Sequence, residues 1–156
     1  MYSPHCLAIA PTKLFEPQYA NTPTIPTYYL YAGSQQDHLE YRVNSPYHGY
    51  LYVFVTEADQ TTKLLYPNAY SDTMYVNPGR PVVLPGPNAG YTLEVTAPTG
   101  MHKLFFVVLS TAIPKEEFQH IRSEAELNRI LLNLGLNENI YHGYAETAFN
   151  VQYVIY

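Results

Sequence analysis

The 156-residue sequence contains no tryptophan, a single cysteine and few charges, and each shortage excludes a class of protein. One cysteine cannot form a disulfide within the chain, so this is not a small domain held together by disulfides. Charged residues make up 13% of the chain, well below the usual ~25%, and only 8 Lys and Arg accompany 13 Asp and Glu. Nucleic-acid domains normally carry a basic excess, so we expect no nucleic acid as a partner.

The chain also lacks any apolar run of the length that a transmembrane helix requires, and none is predicted. Residues 1–11 contain neither a basic start nor a long apolar core, so they do not predict a signal peptide. The single cysteine, Cys6, lies among prolines and is predicted to be a free thiol. The alternative is a reactive thiol, because His5 beside it would favour the thiolate.

Proline and apolar residues are abundant, and the prolines divide the chain into three parts. The apolar content of 47% and the length fit one folded domain, residues 1–156. Five of the 13 prolines lie in the first 26 residues, which predicts an extended, Pro/Tyr-rich arm over residues 1–35. Residues 36–114 are predicted to form a β core, and residues 115–156 a helical segment and a closing strand.

The middle part has the periodicity of β-strands. Apolar residues alternate over residues 37–43, as in a half-buried strand, whereas residues 48–56 and 101–110 are apolar on both faces and require cover on both sides. Turn signals recur every 8–12 residues and no βαβ spacing is present. The sequence therefore predicts a mainly β fold, an antiparallel β-sandwich of immunoglobulin-like or related type, without a parallel sheet and with one or two short C-terminal helices.

Two helical signals follow Pro114, the last proline of the chain. Pro114 is suited to the first turn of a short helix over residues 115–122. Ser123 and Glu126 have the spacing of a capping box, and an apolar stripe of helical period follows it. This helix is predicted to end at Gly135. We expect the helix and the N-terminal arm to cover the two strands that are apolar on both faces.

The last residues of the chain predict one more strand. This closing strand is predicted over residues 148–156.

The sequence carries no local pattern of a metal or catalytic site. None of the six histidines lies two to four residues from another, so no local metal site is predicted. The alternative is a metal site formed by His48 and His102 on neighbouring strands. The chain has no Gly-x-Ser-x-Gly turn and no glycine-rich phosphate loop. We therefore predict no catalytic, cofactor-binding or metal-binding residues and a protein that is not an enzyme.

Tyrosine is the strongest anomaly, with 17 residues in the chain. Strand propensity and cover of sheet edges explain many of them, while a partner surface and a sugar-stacking platform are the functional alternatives. Two clusters of tyrosines, one before the predicted sandwich and one near the C-terminal end of the chain, lie outside the predicted sandwich strands and are free to form a binding surface. The sequence therefore predicts binding residues at Tyr28, Tyr29, Tyr31, Tyr141 and Tyr144.

The β core carries the motifs of a known family. They occur in a fixed order, with the tetrapeptide Leu-Tyr-Pro-Asn at residues 65–68 as the most specific, and they occupy residues 49–54, 62–68, 81–85, 93–100 and 104–110. In this order the motifs resemble the bacterial "domain of unknown function 4384" family over about residues 36–114. The alternative is that the resemblance extends through the C-terminal part to residue 156.

The resemblance implies an accessory binding role without catalytic residues. Members occur in envelope or secretion settings, alone or fused to peptidases and kinases. We therefore expect a non-enzymatic module that engages a protein partner through a tyrosine-rich surface in a bacterial envelope or secretion-related system, with type VI secretion as one candidate. The expected location is the periplasm or cell envelope, with the cytoplasm as the alternative. An immunity protein for a cognate toxin and a carbohydrate- or peptidoglycan-binding module are the competing functions, and the oligomeric state stays open.

Overall fold

The computed structural model describes residues 25, 27–31, 37–86, 89–136 and 139–154. Most of the predicted arm, including His5 and Cys6, lies outside these residues, and so does the end of the predicted closing strand. Within the described residues the fold is mainly β with one α-helix, as the turn spacing and the helical stripe predicted.

The described part of the chain contains ten strands, one short 3₁₀ helix and one α-helix. In chain order they are β1 (Thr27–Leu30), β2 (His38–Leu39), β3 (Tyr41–Val43), β4 (Gly49–Thr56), β5 (Thr62–Tyr66), β6 (Tyr75–Val76), β7 (Val82–Leu84), β8 (Leu93–Glu94), β9 (Gly100–Leu109), the 3₁₀ helix Lys115–Phe118, α1 (Glu124–Leu136) and β10 (Tyr141–Tyr153).

A central sheet organises these elements. Its strand order is β1-β10-β9-β4-β5, and β6 pairs with the first residues of β4, on the same side as β5. The pairings among β4, β5, β6, β9 and β10 are antiparallel, as predicted, but β1 runs parallel to β10. A parallel pair requires a long crossover connection, and residues 31–140, which include most of the domain, provide it here.

β4 and β9 lie in the middle of this sheet and are buried on both sides, as their apolar composition predicted. Successive residues of a strand point to opposite faces. Leu51 and Val53 of β4 therefore lie on one face, and Tyr52 and Phe54 lie on the other, each within a separate buried cluster. We call these the strand-covered face and the helix-covered face, after the elements that pack on them.

Two small sheets, β2–β8 and β3–β7, pack on the strand-covered face and give a sandwich-like arrangement. The ring of Tyr41 in β3 lies 5.4 Å from that of Phe106 in β9, and Leu84 of β7 is fully buried. The expectation that the N-terminal arm covers this face falls mostly on residues outside those that the structure describes. Among the described residues, Tyr28 and Leu30 of β1 pack against this core together with the short strands from the middle of the chain.

α1 covers the other face, as its apolar stripe predicted. Leu127, Leu131 and Leu134 are buried in the helix-covered face. The Oγ of Ser123 accepts a hydrogen bond of 3.2 Å from the backbone N–H of Glu126, which is the N-terminal half of the predicted capping box. The helix is therefore specified locally at its start and held by burial along its length.

The end of α1 differs from the prediction. The helix continues through Gly135 to Leu136. The positive φ that commonly accompanies the end of a helix occurs instead at Asn139, where φ is 55°. Gly135 lies beside Tyr141, whose Cδ2 would be 3.5 Å from an added Cβ, an ordinary contact distance, so a side chain as small as a methyl group would fit there.

Two other predicted boundaries also change. The predicted helix over residues 115–122 is a 3₁₀ helix of four residues, and the Ile121 N–H then bonds to the Phe118 carbonyl in a turn. The closing strand begins at Tyr141 rather than at residue 148. The pairing of this strand with β9 is irregular between Tyr141 and Gly143, so side chains there do not alternate regularly between the two faces of the sheet. A search for apolar residues at every second position therefore misses the start of the strand.

Candidate binding site at an aromatic sheet edge

Three of the five predicted binding tyrosines belong to or follow β1, at one edge of the central sheet. Tyr28 points to the strand-covered face, where its ring meets that of Phe149 at 5.6 Å. Tyr29 and Tyr31 are exposed. The carboxylate of Asp37 accepts a hydrogen bond of 2.9 Å from the backbone N–H of Tyr29. Asp37 precedes β2, and by occupying a backbone donor of β1 it hinders pairing of this sheet edge with another chain.

The other two predicted tyrosines, Tyr141 and Tyr144, lie elsewhere. Both point to the helix-covered face; Tyr141 is only 6% exposed and Tyr144 stacks on Phe105 with ring centroids 5.9 Å apart. On β10, Tyr144 is seven residues from Val151, the partner of Tyr28. At about 3.3 Å per residue this separates the two groups by about 23 Å. The structure therefore does not bring the five tyrosines together.

The most exposed aromatic side chain of the described residues lies at the opposite edge of the sheet. β5 and β6 both pair with β4, and the loop 67–74 between them projects from this edge. Tyr70 in the loop is 72% exposed and Tyr75 in β6 is 50% exposed. We call this surface the aromatic edge, and its members are His48, Tyr50, Tyr70, Tyr75 and Tyr91.

Hydrogen bonds hold the loop of the aromatic edge. The hydroxyl of Tyr66 donates to the Asp72 carbonyl at 2.7 Å, and that of Thr73 donates to the Leu51 carbonyl at 2.5 Å. At the tip, the backbone N–H of Tyr70 donates to Oδ1 of Asn68 at 2.9 Å, which is an Asx-turn. The backbone that carries Tyr70 is therefore fixed from several sides, and less conformational entropy is lost when a partner binds the ring.

The rings of the aromatic edge contact one another in pairs. Tyr70 and Tyr91 stack with centroids 6.3 Å apart and an interplanar angle of 18°. Tyr50 meets Tyr75 edge to face at 5.1 Å, and His48 lies 6.3 Å from Tyr75. These contacts form two groups. Tyr70 stacks on Tyr91, which packs against the core of the strand-covered face, and Tyr75 meets His48 and Tyr50, of which Tyr50 packs against the core of the helix-covered face.

The side chains of the aromatic edge are one imidazole and four phenols, and all carry a polar group. Nδ1 of His48 donates to Oδ1 of Asn77 at 2.8 Å if the amide oxygen faces the ring. Burial raises the pKa of Tyr91, so its hydroxyl stays neutral. A ligand would therefore meet aromatic faces, hydrogen-bonding groups and charges of both signs, since Asp72 is exposed in the loop and Lys115 donates to the Asn68 carbonyl at 3.2 Å.

Sequence reasoning missed Tyr70 and Tyr75 because both were assigned to the sandwich strands and turns. A usable signal was present at Tyr70. It lies in the turn-forming stretch 67–72, after Pro67 and Asn68, and outside any alternating pattern. A large ring in a turn has no sheet neighbour to cover it and tends to be exposed.

The alternative metal site formed by His48 and His102 is contradicted by the register of β4 and β9. Tyr50 pairs with Leu109 at one end of the two strands, and Thr56 pairs with Lys103 at the other. The two histidines therefore lie at opposite ends of the sheet. Across the described residues, no group of three or more His, Cys, Asp or Glu is placed to hold a metal ion, and none of the helices is both long and apolar enough to span a membrane.

The comparison with known proteins gives one match. Residues 34–112 match the family described as Domain of unknown function (DUF4384). The chain belongs to this family. The resemblance seen in the sequence is thereby confirmed, and no curated protein and no solved structure matches the chain. The whole aromatic edge lies inside the DUF4384 match, whereas all five tyrosines predicted from sequence lie outside it.

Proposed function

We propose that this DUF4384 protein is a non-catalytic binding module that engages a protein partner through the aromatic edge. The observation that carries the proposal is the exposure of Tyr70 and Tyr75 on a hydrogen-bonded loop and strand. We also propose, from the family resemblance, that it acts in a bacterial envelope or secretion-related system, with type VI secretion as one candidate, and that it resides in the periplasm or envelope.

The chemistry of the aromatic edge favours a protein as its partner. Tyrosine is enriched in protein interfaces because it offers a large, rigid contact area with a polar tip, and its burial costs little side-chain entropy. The rings of Tyr70 and Tyr75 are already backed by Tyr91 and Tyr50. Such supported aromatic side chains are typical of interface hot spots.

Site-specific photo-crosslinking in native cells tests this proposal. A benzophenone side chain at position 70 should cross-link to one protein, which mass spectrometry identifies, whereas the same group at position 153 on the β1 side of the sheet should not. Tyr153 is a matched control because it is a strand tyrosine with 63% exposure. The partner found at position 70 is then purified and titrated with the wild-type protein.

The titration with variants decides the outcome. The double variant Tyr70→Ala, Tyr75→Ala should raise the dissociation constant by at least about tenfold, because interface tyrosines often contribute more than 1 kcal/mol each. Tyr29→Ala, Tyr153→Ala should bind like the wild type. Equal weakening by both double variants, or by neither, contradicts the proposal.

The near-parallel rings of Tyr70 and Tyr91 favour carbohydrate as a second ligand class. Sugar rings stack on aromatic faces, and Asn68 lies in the same loop as Tyr70. A glycan array that includes peptidoglycan fragments tests this alternative. Hits that disappear in Tyr70→Ala support it, and an array without hits removes it.

A further inference from the structure

A cavity of about 500 Å³ lies next to the aromatic edge, between β2 and the segment 85–93 that leads into β8. Its volume is within the range of natural ligand pockets, about 300–1,000 Å³. Tyr91 lines this cavity, and its ring also stacks on that of Tyr70 with centroids 6.3 Å apart. The cavity and the most exposed ring of the aromatic edge therefore share a neighbour, so a partner that covers Tyr70 lies beside the cavity.

The residues around the cavity combine apolar surface with one acidic side chain. Leu39, Pro85, Tyr91 and Leu93 contribute the apolar part, and Glu40 is the acidic residue of the lining. Buried and exposed residues alternate over residues 38–43, and Glu40 is exposed between buried Leu39 and buried Tyr41. Its side chain therefore points away from the core, to the outer surface on which the cavity opens.

The charge of Glu40 is not compensated by a neighbour. Its carboxylate makes no hydrogen bond or ion pair with any residue that the structure describes. A second carboxylate lies close by, because Oε1 of Glu94 is 3.4 Å from Nε2 of His38, which also lines the cavity. Arg42, two residues after Glu40, is not part of the lining. The described lining thus holds an unpaired carboxylate and neither lysine nor arginine, which favours a cation.

We propose that this cavity receives an arginine side chain of the protein partner that binds the aromatic edge. Arginine matches both parts of the lining, because its stem is apolar and its planar guanidinium stacks on aromatic rings and pairs with carboxylates. The net charge of −5 of the chain also favours approach of a basic segment. The inference rests on the function proposed above and adds the chemistry of the partner, a basic residue next to the surface that contacts Tyr70.

The methylamides of acetyl-arginine and acetyl-citrulline test the cavity without the partner. The two compounds have nearly the same shape, but citrulline carries no charge. Binding is followed by NMR of the full chain through the amides of Leu39, Glu40 and Gly90. We expect the arginine compound to bind about threefold to fivefold more tightly at low salt, the ratio that an exposed ion pair provides, and the ratio to fall as the salt concentration rises.

Two glutamine variants locate the preference. Glu40→Gln removes the charge at an exposed position and keeps the size of the side chain, so the protein should fold and the two compounds should bind equally. Glu116→Gln removes the same charge from the 3₁₀ helix that packs on the helix-covered face, and it should retain the preference for arginine. The inference is overturned if the wild type shows no preference, or if both variants keep it or both lose it.

Titration of the partner identified at position 70 separates this inference from the proposed function. Glu40→Gln should raise the dissociation constant about threefold to fivefold, and Glu116→Gln should leave it unchanged. If Tyr70→Ala, Tyr75→Ala weakens binding and Glu40→Gln does not, the proposed function stands and the arginine inference is wrong. If Glu40→Gln weakens binding and the tyrosine variant does not, the cavity binds the partner and the role proposed for the aromatic edge is wrong.

Discussion

The helix-covered face of the central sheet is closed by one continuous stretch of chain, whereas the strand-covered face is closed by short strands from separate parts of the sequence. Phe118, Ile121 and the three buried leucines of α1, Leu127, Leu131 and Leu134, all lie within 17 residues of one another. The opposite cover draws on β2, β3, β7 and β8, which are two or three residues long each.

This difference in construction predicts a difference in sensitivity to mutation. On the helix-covered face, Phe118 of the 3₁₀ helix contacts the rings of Tyr52 and Phe54, and α1 adds three buried leucines to the same cluster, so a defect in this one stretch affects most of the face. On the strand-covered face the burial is divided among four strands, and each contributes a smaller share. Substitutions of similar size should therefore cost more on the helix-covered face.

Leu131→Ala in α1 should have the largest effect. Leu131 is fully buried, and removing its side chain leaves a cavity beneath the helix, so we expect a loss of about 3 kcal/mol in the free energy of unfolding. Chemical denaturation measures it. Leu136→Ala in the same helix is the control, because Leu136 is 66% exposed and its truncation should change stability by less than about 0.5 kcal/mol.

Leu84→Ala in β7 applies the same truncation to the strand-covered face. Leu84 is equally buried, but the short β3–β7 pair can move towards the sheet and fill part of the space. We therefore expect a loss of about 2 kcal/mol by the same measurement. A loss larger than that of Leu131→Ala would contradict the proposed difference between the faces.

Tyr52→Phe removes a hydroxyl that joins the helix-covered face to the chain before the 3₁₀ helix. This hydroxyl donates to the Ile113 carbonyl at 2.7 Å and accepts from the Ile113 N–H at 2.6 Å. Loss of both bonds should cost about 1–2 kcal/mol, measured by thermal or chemical unfolding. Tyr50→Phe, two residues earlier on the same strand, should change stability little.

Tyr66→Phe is the counterpart on the strand-covered face. The hydroxyl of this buried tyrosine donates to the carbonyl of Asp72 at 2.7 Å, and it also interacts with the side chain of Ser71 and the backbone of Met74. Asp72 is exposed, so water can replace the lost donor, and we expect a cost of about 0.5–1 kcal/mol. An effect equal to that of Tyr52→Phe would show that the access of water to the bonded groups does not decide the difference.

Glu146→Gln should give the smallest effect, and one of opposite sign. Glu146 points to the helix-covered face of β10; burial raises its pKa above the usual 4.5, Glu124 raises it further, and Lys103 lowers it. Lys103 is paired with Glu124 at 2.8 Å. Because the folded state holds the proton more tightly than the unfolded state, ionisation of Glu146 lowers stability as the pH rises above about 4.5.

The glutamine variant removes this penalty. At pH 7 it should be more stable than the wild type by less than about 1 kcal/mol, since solvent screens the half-exposed carboxyl. The gain should disappear below pH 4.5, where Glu146 is protonated in both states. Unfolding curves between pH 4 and pH 8 measure it, and a gain that does not depend on pH would assign the effect to packing instead.

Most of the fold could be predicted from local patterns. The apolar residues on both faces of β4 and β9 predicted two central strands, and the stripe of Leu127, Leu131 and Leu134 predicted the covering helix. The parallel pairing of β1 with β10 could not be predicted, because no local pattern relates residues more than 100 positions apart. The start of β10 was hidden by the irregularity between Tyr141 and Gly143.

The sequence predicted the chemical character of the candidate site, an aromatic surface, but not the residues that form it. Tyrosine abundance indicated an aromatic surface, yet the sequence cannot tell which rings are covered. Tyr141 is buried because α1 and the sheet enclose it, while Tyr70 is exposed because its loop leaves the sheet edge. Both outcomes depend on neighbours that are distant in sequence.

The sequence by itself determined the two central strands, the helix α1, the family and the low density of charge, since these depend on residue type and short-range spacing. Only the tertiary structure decided which elements cover each face of the sheet, which tyrosines share an edge, and that Glu40 and Tyr91 line the same cavity. These properties arise from contacts between segments far apart in the chain. Such contacts form only when other elements of the chain pack on the two faces of the central sheet.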